Sequence, residues 1–450
     1  MEEIHEPGGS TTHLKRILGF GDLMGVAFGY IIGAGIMTLL GSAIALTGRS
    51  VPFAFIIAAV ITIFQFLPTI VTAGTVRLRG GNYTMVAMFC GDKVAGAYTV
   101  IFLFQSMSLA MFALSFGSYF CSLFGIDSPL VEKIAGFIPM TLLYIMNLFG
   151  VDKFAKTQRI IVTTLITSLA LFAGFGIFHI QPGYFAPETF LTGGVLGLLQ
   201  AAGMLTFAIG GGAGVVNLSA EAKNPTRDIP LVAIISTLVV AVIYAVVGFV
   251  GAGVLPLEQV AGQNLTVVAG VVMPRPVYLF FVVFGVCLAL ISPMNAQFAS
   301  APKPVMQMCD DGWFPERLAR VSALGSPYII QTILYVLGFV ALFTGLSVST
   351  LVNLSIVAGG TMSVLMNLGV MRLPKVCPEA WEESRFKMPK PLLVLTSLVG
   401  AGASAFNIYV NASNLPPHLL ILNVAVVTFA FVYGAVRSKS AHVQISYERA

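Results

Sequence analysis

The chain has 450 residues, of which 57% are hydrophobic and only 10% are charged, and its formal net charge is +5. A soluble globular domain carries roughly a quarter of charged residues, so this composition excludes that class and indicates an integral membrane protein. The net positive charge comes from basic residues in the loops between apolar runs and forms nothing like a basic DNA-binding face, so we expect no nucleic-acid partner.

Apolar runs long enough to cross the hydrocarbon layer of a bilayer, about 30 Å, recur along the whole chain. Their length and lack of charge predict an all-α integral membrane protein with twelve transmembrane helices. The predicted spans lie at about 21–46, 52–75, 94–123, 132–149, 159–179, 194–219, 229–254, 276–303, 327–346, 349–371, 391–410 and 417–436.

The loop charges predict the orientation of these spans. If the N-terminus is inside, all of the 24 Lys and Arg residues except Arg49, Lys133 and Arg275 fall on the inner side. Positive residues are enriched in cytoplasmic loops, so the bias predicts that both termini are cytoplasmic. We expect a multi-pass protein of the plasma membrane, and of the inner membrane in a bacterial setting.

Glycine-rich interruptions occur at matching places in the first and sixth spans, which suggests two repeats of five spans each. Five is odd, so the second repeat would enter the membrane from the opposite side, giving an inverted pair. The predicted organisation is then an N-terminal tail (1–19), repeat 1 with spans 1–5 (20–180), repeat 2 with spans 6–10 (190–372), two extra helices (390–437) and a C-terminal tail (438–450).

The first interruption is Gly33-Ala34-Gly35 in span 1. Backbone groups freed inside a membrane are tolerated only where they line a cavity or hold a solute. A new helix beginning near Gly35 and Ile36 would point free N–H groups and a positive helix end at a carboxylate. Small residues that allow close helix packing are the alternative explanation.

The second interruption is the run Gly210-Gly211-Gly212-Ala213-Gly214 in span 6. Each glycine costs up to ~1 kcal/mol relative to alanine inside a helix, so a straight helix is disfavoured here. Carbonyls freed at Phe207 and Gly210 would mark the negative end of a half-helix, which suits an ammonium group. Together, the two interruptions predict a site for an α-amino acid.

Four sequence signatures resemble those of the amino acid–polyamine–organocation superfamily of permeases. They are Gly33-Ala34-Gly35-Ile36, Gly80-Gly81-Asn82-Tyr83 before span 3, Glu221-Ala222-Lys223-Asn224-Pro225 after span 6, and Lys303 followed by Asp310-Asp311-Gly312-Trp313-Phe314-Pro315 after span 8. The resemblance covers spans 1–10 and implies broken helices 1 and 6 around a central substrate.

The resemblance also implies roles for individual positions. Ile31, Gly33, Ala34 and Gly35 would contact the amino and carboxyl groups of the substrate, and the carbonyl of Gly210 would meet its ammonium group. Phe207 lies where the family carries an aromatic gate, although lipid-facing bulk is the alternative for a membrane phenylalanine. Gly210 to Gly212, including Gly211, would leave space for a substrate side chain.

Three positions depart from the pattern that the resemblance implies. Leu165 in span 5 lies where many proton-coupled relatives carry a lysine, which leaves the proton mechanism in doubt. Ala213 lies where an arginine-exchanging branch carries an acidic residue, and Lys303 replaces a more common arginine between two prolines.

Ionisable residues are almost absent from the middle of the spans, where they are costly and usually functional. Asp22 at the inner end of span 1 and Glu221 at the inner end of span 6 are expected to pair with Lys or Arg and to help close a cytoplasmic gate. Interfacial charges that reach water are the alternative reading. The lack of a buried charge for a substrate side chain favours a neutral substrate.

The sequence thus predicts a secondary active transporter that moves neutral amino acids by alternating access, through proton symport or exchange. The alternatives are an amine or polyamine exchanger and a membrane ligand sensor that does not transport. We expect no enzymatic activity, cofactor or metal site, because no catalytic or metal-ligand motif is present. The expected partners are the amino acid, the lipid bilayer and protons; the oligomeric state is not predicted.

Overall fold

The computed structural model describes residues 16–78, 80–149, 151–322, 324–439 and 447–449. Most of these residues are helical, as the composition predicts. The first half contains α1 (Phe20–Ile31), α2 (Ala34–Thr47), α3 (Val51–Ala73), α4 (Asn82–Cys90), α5 (Asp92–Gln105), α6 (Ser108–Phe124), α7 (Pro129–Asn147) and α8 (Val151–Gly176). Most of both predicted tails, residues 1–15, 440–446 and 450, lies outside the described residues.

The second half begins with a short helix ahead of the second broken span and ends with two long helices. It contains α9 (Pro187–Phe190), α10 (Gly194–Ile209), α11 (Pro225–Gly253), α12 (Leu257–Val260), α13 (Thr266–Val272), α14 (Arg275–Phe280), α15 (Leu288–Ser300), α16 (Pro302–Asp310), α17 (Tyr328–Leu342), α18 (Val348–Gly369), α19 (Leu373–Val376), α20 (Pro378–Glu383), α21 (Lys390–Ser413) and α22 (Pro417–Arg437).

Several shorter elements join or extend these helices. The 3₁₀ helices are Gly48–Ser50, Ile177–His179, Gly210–Leu218, Glu316–Ala319 and Val370–Arg372, and a π-helical stretch, Phe281–Cys287, joins α14 to α15. Two strands, β1 (Val76–Leu78) and β2 (Tyr447–Arg449), pair antiparallel, with Val76 opposite Arg449. The two strands are a small exception to the all-α prediction.

Among the described residues, eleven helical segments are long and apolar enough to cross a membrane. The predicted span at 327–346 is not one of them, because α17 has 15 residues and is therefore about 22 Å long. Gly345 follows in the left-handed region, at φ 80°, where the chain turns away from the helix. Side chains such as Phe339 and Val340 on α17 are exposed. The inverted-repeat arrangement remains a prediction.

The broken first span lies among other helices rather than at the surface. α1 contacts α8, α11, α15 and the 3₁₀ helix Gly210–Leu218, while α2 contacts α10. α3 packs between α10, α11 and α21. Both interrupted segments are therefore enclosed by protein, which is the condition under which a bilayer tolerates non-helical backbone.

Close helix approach away from the interruptions also depends on glycine. A Cβ atom added at Gly136 on α7 would lie 2.1 Å from the Ala113 carbonyl oxygen on α6. One added at Gly117 on α6 would lie 1.9 Å from the Glu132 carbonyl oxygen on α7. The two helices thus approach each other through reciprocal glycines, as small residues allow in membranes.

We predict that Gly136→Ala lowers stability by about 1–3 kcal/mol, because the added methyl group forces α6 and α7 apart. The measurement is the thermal unfolding midpoint of the purified protein in detergent. Gly174→Ala on α8 is the matched control, since a Cβ there meets nothing within 4 Å. Equal midpoints for both variants would contradict the packing argument.

Candidate functional site

The first interruption separates α1 from α2 by two residues. α1 ends at Ile31, Ile32 and Gly33 are extended, and α2 begins at Ala34 with Gly33 as its N-cap. The new helix therefore begins one residue earlier than the expected start near Gly35 and Ile36. Gly33 is required by packing rather than by its backbone angles, because a Cβ there would lie 2.7 Å from Cγ of Pro293.

Neighbouring side chains satisfy carbonyl groups on the α1 side of the interruption. The Tyr244 hydroxyl donates a hydrogen bond to the Ile31 carbonyl at 2.8 Å, and the Ser292 hydroxyl donates to the Gly29 carbonyl at 3.0 Å. On the other side, the first N–H groups of α2 have no acceptor within their own helix, by the geometry of any α-helix. The interruption thus presents donors and a positive helix end.

The second interruption is a change of helix type. α10 ends at Ile209, and the chain continues as the 3₁₀ helix Gly210–Leu218. A 3₁₀ helix pairs each amide with the carbonyl three residues earlier, instead of four, so pairing of the carbonyls at the end of α10 is disturbed. The predicted loss of straight α-helix in the glycine run is confirmed.

The two interruptions pack directly against each other. A Cβ atom at Gly35 would lie 2.4 Å from Cβ of Ala208, and one at Gly211 would lie 2.6 Å from the Tyr30 carbonyl oxygen. A larger residue at Gly35 would therefore separate the two helices, rather than simply fill a carboxylate position. These glycines allow close helix packing and also border the interruptions. The packing explanation and the binding-site explanation are therefore compatible.

A cavity of about 370 Å³ lies beside the two interruptions. Six of the predicted substrate-binding residues line it, namely Ile31, Gly33, Gly35, Phe207, Gly210 and Gly211. Ile36 is fully buried and is not part of the lining. The side chain of Ala34 lies outside the described part of the chain, and its backbone forms the first turn of α2.

The lining combines apolar side chains with uncharged polar ones. Sequence reasoning did not identify the amide side chains and the tyrosine of this lining, which lie on elements far apart in the chain; they include Tyr30, Gln65, Gln105, Asn217, Gln297 and Asn407. Among the described residues, no Asp, Glu, Lys, Arg or His lines the cavity. Only the amphipathic spacing of polar residues within apolar spans could have pointed to them.

Of the positions that depart from the family pattern, one lines the cavity and another does not. Ala213 lines the cavity, so an acidic residue there would face a bound solute. Leu165 on α8 is fully buried and does not line the cavity.

The predicted gate residues lie at the face of the molecule where α1 begins, which we call the N-terminal face. Lys303 Nζ lies 2.8 Å from Glu221 Oε1, and both side chains are almost fully buried. Asp22 Oδ2 accepts a hydrogen bond from the Gly19 amide at 3.1 Å and so caps α1. Glu221 therefore has the basic partner that the sequence predicts.

Backbone pairing joins the segment before α1 to the end of the second broken span. The Leu18 amide donates to the Glu221 carbonyl at 3.0 Å, and the Lys223 amide donates to the Leu18 carbonyl at 2.9 Å. Arg77 on β1 donates to the carbonyls of Ser219 and Ala220. These bonds tie β1 and the N-terminal segment to one short stretch of chain.

A second polar cluster at this face is centred on Asp311. The Tyr83 hydroxyl and the Gln307 amide, at 3.1 Å, donate to its carboxylate, and Trp313 Nε1 donates to the Tyr83 oxygen at 2.8 Å. Burial and the facing carboxylate raise the pKa of the Tyr83 phenol, so it remains a protonated donor. The cluster joins α4 to the end of α16.

Broken membrane helices packed around a cavity with polar side chains define a transporter-type architecture. A sequence profile described as "Amino acid permease" matches residues 18–436. The chain therefore belongs to the amino acid permease family, and it is an amino acid transporter of the membrane.

Individual relatives are similar over most of the chain. The branched-chain amino acid permease BcaP of Bacillus subtilis (strain 168) is 27% identical over 400 residues, which cover 81% of this chain and 82% of that protein. BcaP of Lactococcus lactis subsp. cremoris is 24% identical, with coverages of 95% and 96%. The serine/threonine exchanger SteT of Bacillus subtilis (strain 168) is 24% identical, with coverages of 68% and 72%.

We predict that Gly35→Ala lowers both stability and transport, because the methyl group would overlap Ala208 and separate the interrupted helices. Overpacking of this kind costs about 1–3 kcal/mol. The measurements are the unfolding midpoint and the initial rate of uptake into proteoliposomes.

Gly25→Ala in α1 is the matched control, since a Cβ there meets nothing within 4 Å. It should keep transport and leave the midpoint unchanged or higher, because alanine favours a helix. An active Gly35→Ala variant with a normal midpoint would show that close contact at this position is not needed.

Proposed function

We propose that this permease carries neutral amino acids across the plasma membrane, by proton symport or by exchange. The observation that supports this best is the absence, among the described residues, of charged side chains around the 370 Å³ cavity. A substrate with a charged side chain would leave that charge without a partner in a desolvated site, which is costly. The BcaP and SteT relatives are named for branched-chain amino acids, serine and threonine, whose side chains are uncharged. A relative from Arabidopsis thaliana that matches 52% of this chain is named a cationic amino acid transporter.

The α-amino and carboxyl groups of the substrate would be held by backbone rather than by side chains. In our proposal the first amides of α2, including those of Ala34, Gly35 and Ile36, bind the carboxylate at the positive helix end. Carbonyls at the end of α10, near Phe207 and Gly210, bind the ammonium group. Gly211 leaves room for the substrate between the two interruptions, and Ile31 contacts it from α1.

Alternating access would then require a gate on each side. Phe207 is only partly buried and lines the cavity, which suits an aromatic cover over the substrate. Glu221 and Asp22 would close the N-terminal face, which the loop charges predict to be cytoplasmic. The same charges support cytoplasmic termini. For a bacterial cell, we propose the inner membrane as the location.

The test is uptake of labelled neutral amino acids into sodium-free proteoliposomes that contain the purified protein. Uptake driven by an imposed proton gradient would indicate symport, whereas uptake that needs unlabelled amino acid inside would indicate exchange. Failure of every neutral amino acid under both conditions, with transport of amines instead, would overturn the proposal. Binding of an amino acid without any movement across the membrane would favour the alternative of a membrane ligand sensor that does not transport.

We predict that Ala213→Glu weakens uptake of neutral amino acids and increases inhibition by cationic amino acids or amines. The carboxylate would face the cavity and attract a positive side chain, while remaining unpaired next to a neutral one. Ala213→Gln is the matched control, because it adds nearly the same volume without charge. If both variants lose neutral uptake equally and neither gains inhibition by cations, the effect is steric and the electrostatic argument is wrong.

A further inference from the structure

A buried ion pair lies next to the cavity at the N-terminal face. The Glu221 and Lys303 side chains are 4% and 1% exposed, and Oε1 of Glu221 lies 2.8 Å from Nζ of Lys303. The other carboxylate oxygen, Oε2, is buried and receives no hydrogen bond from the described residues. Buried polar atoms usually have partners, so an unpartnered oxygen on a buried carboxylate calls for an explanation, and a functional role of the carboxylate is one.

Both members of the pair follow the cavity lining along the chain. Asn217 lines the cavity and precedes Glu221 by four residues, while Ala301 lines it and precedes Lys303 by two. The pair therefore joins the end of the second interruption to α16 at the N-terminal-face end of the cavity. A solute or proton in the cavity is separated from Glu221 by about one turn of chain.

Other charged or titratable groups occur on the elements around Glu221, but several of them form hydrogen bonds with residues other than the Glu221 carboxylate. Arg77 donates to the carbonyls of Ser219 and Ala220, and Asp311 receives bonds from Tyr83 and Gln307. The groups on the segment before α1, on α1, β1, α4, α11 and α16, in the link before α11 and directly after α16 are Arg16, Asp22, Tyr30, Arg77, Tyr83, Cys90, Lys223, Arg227, Asp228, Tyr244, Cys309, Asp310 and Asp311. Lys303 is the cation that contacts the Glu221 carboxylate.

We infer that Glu221 carries the coupling proton of the permease. The inference rests on the proposed function, in its proton-symport form. A proton from the cavity forms an O–H bond at the Glu221 carboxylate, which becomes a neutral acid while Lys303 keeps its charge. The attraction that holds the end of the second interruption against α16 is lost, and the N-terminal face opens. The proton then leaves to the solution on that side, and the ion pair forms again.

The test compares wild type, Glu221→Gln and Glu258→Gln in proteoliposomes. Glu258, exposed on α12, is the matched control. One assay follows uptake of a neutral amino acid driven by a proton gradient, and a pH-sensitive dye inside the vesicles follows proton entry. A second assay follows exchange of labelled for unlabelled amino acid without a gradient.

We predict that Glu221→Gln loses accumulation above the external concentration and substrate-dependent proton entry, while the purified variant still binds the neutral amino acid. Glu258→Gln should behave as wild type. Glu221→Asp, which restores a carboxylate, should regain coupling with a shifted pH dependence; if it is as uncoupled as Glu221→Gln, a proton on this carboxylate is not the cause. Because binding of the amino acid reports folding, a Glu221→Gln variant that retains proton entry per amino acid overturns the inference.

The outcomes separate this inference from the function on which it rests. If wild type moves no amino acid in either assay, the proposed function fails. If wild type exchanges amino acids but shows no response to the proton gradient, transport stands and the role of Glu221 in coupling is wrong.

Discussion

The direct contact between the two interrupted segments is the constraint on which the rest of this structure depends. Ala208 lies where a Cβ of residue 35 would be, and the Tyr30 carbonyl lies close to where one of residue 211 would be. Glycine at both positions removes the side chains that would hold the segments apart. The same residues weaken the helices, so polar backbone becomes available at the place where the segments meet. Surrounding helices then supply Tyr244 and Ser292 to satisfy the carbonyls of α1.

Electrostatics divides the molecule into a neutral centre and a charged N-terminal face. The cavity offers amide, hydroxyl and backbone groups. The Glu221–Lys303 pair follows the cavity-lining residues Asn217 and Ala301 by four and two positions in the chain. Removing one partner from a buried ion pair typically costs about 3–5 kcal/mol, because the remaining charge is uncompensated. A change of charge at this pair is therefore large enough to shift an equilibrium between closed and open forms of that face.

The sequence predicted the features that follow from local chemistry. Glycine runs located both interruptions, and the motif after span 6 pointed to Glu221 as an ion-pair member. The exact start of α2 could not be predicted, since it depends on the packing of Gly33 against Pro293. The polar lining was missed for a similar reason. Gln65 and Asn407 lie far apart in the chain and come together around one cavity only after α3 and α21 pack. The inverted repeat and the roles of the site residues remain predictions.

The short helix α17 has a consequence for the lipid around the protein. Its 15 residues span about 22 Å, against roughly 30 Å of hydrocarbon in a typical bilayer. Phe339 and Val340 are exposed on it, so if α17 crosses the bilayer as the sequence predicts, this shorter apolar surface would face acyl chains. A bilayer adapts to a short segment by thinning locally or by drawing flanking residues toward the headgroups. The membrane beside α17 is therefore expected to be thinner than elsewhere around the molecule, and the headgroups of the two leaflets approach each other most closely there.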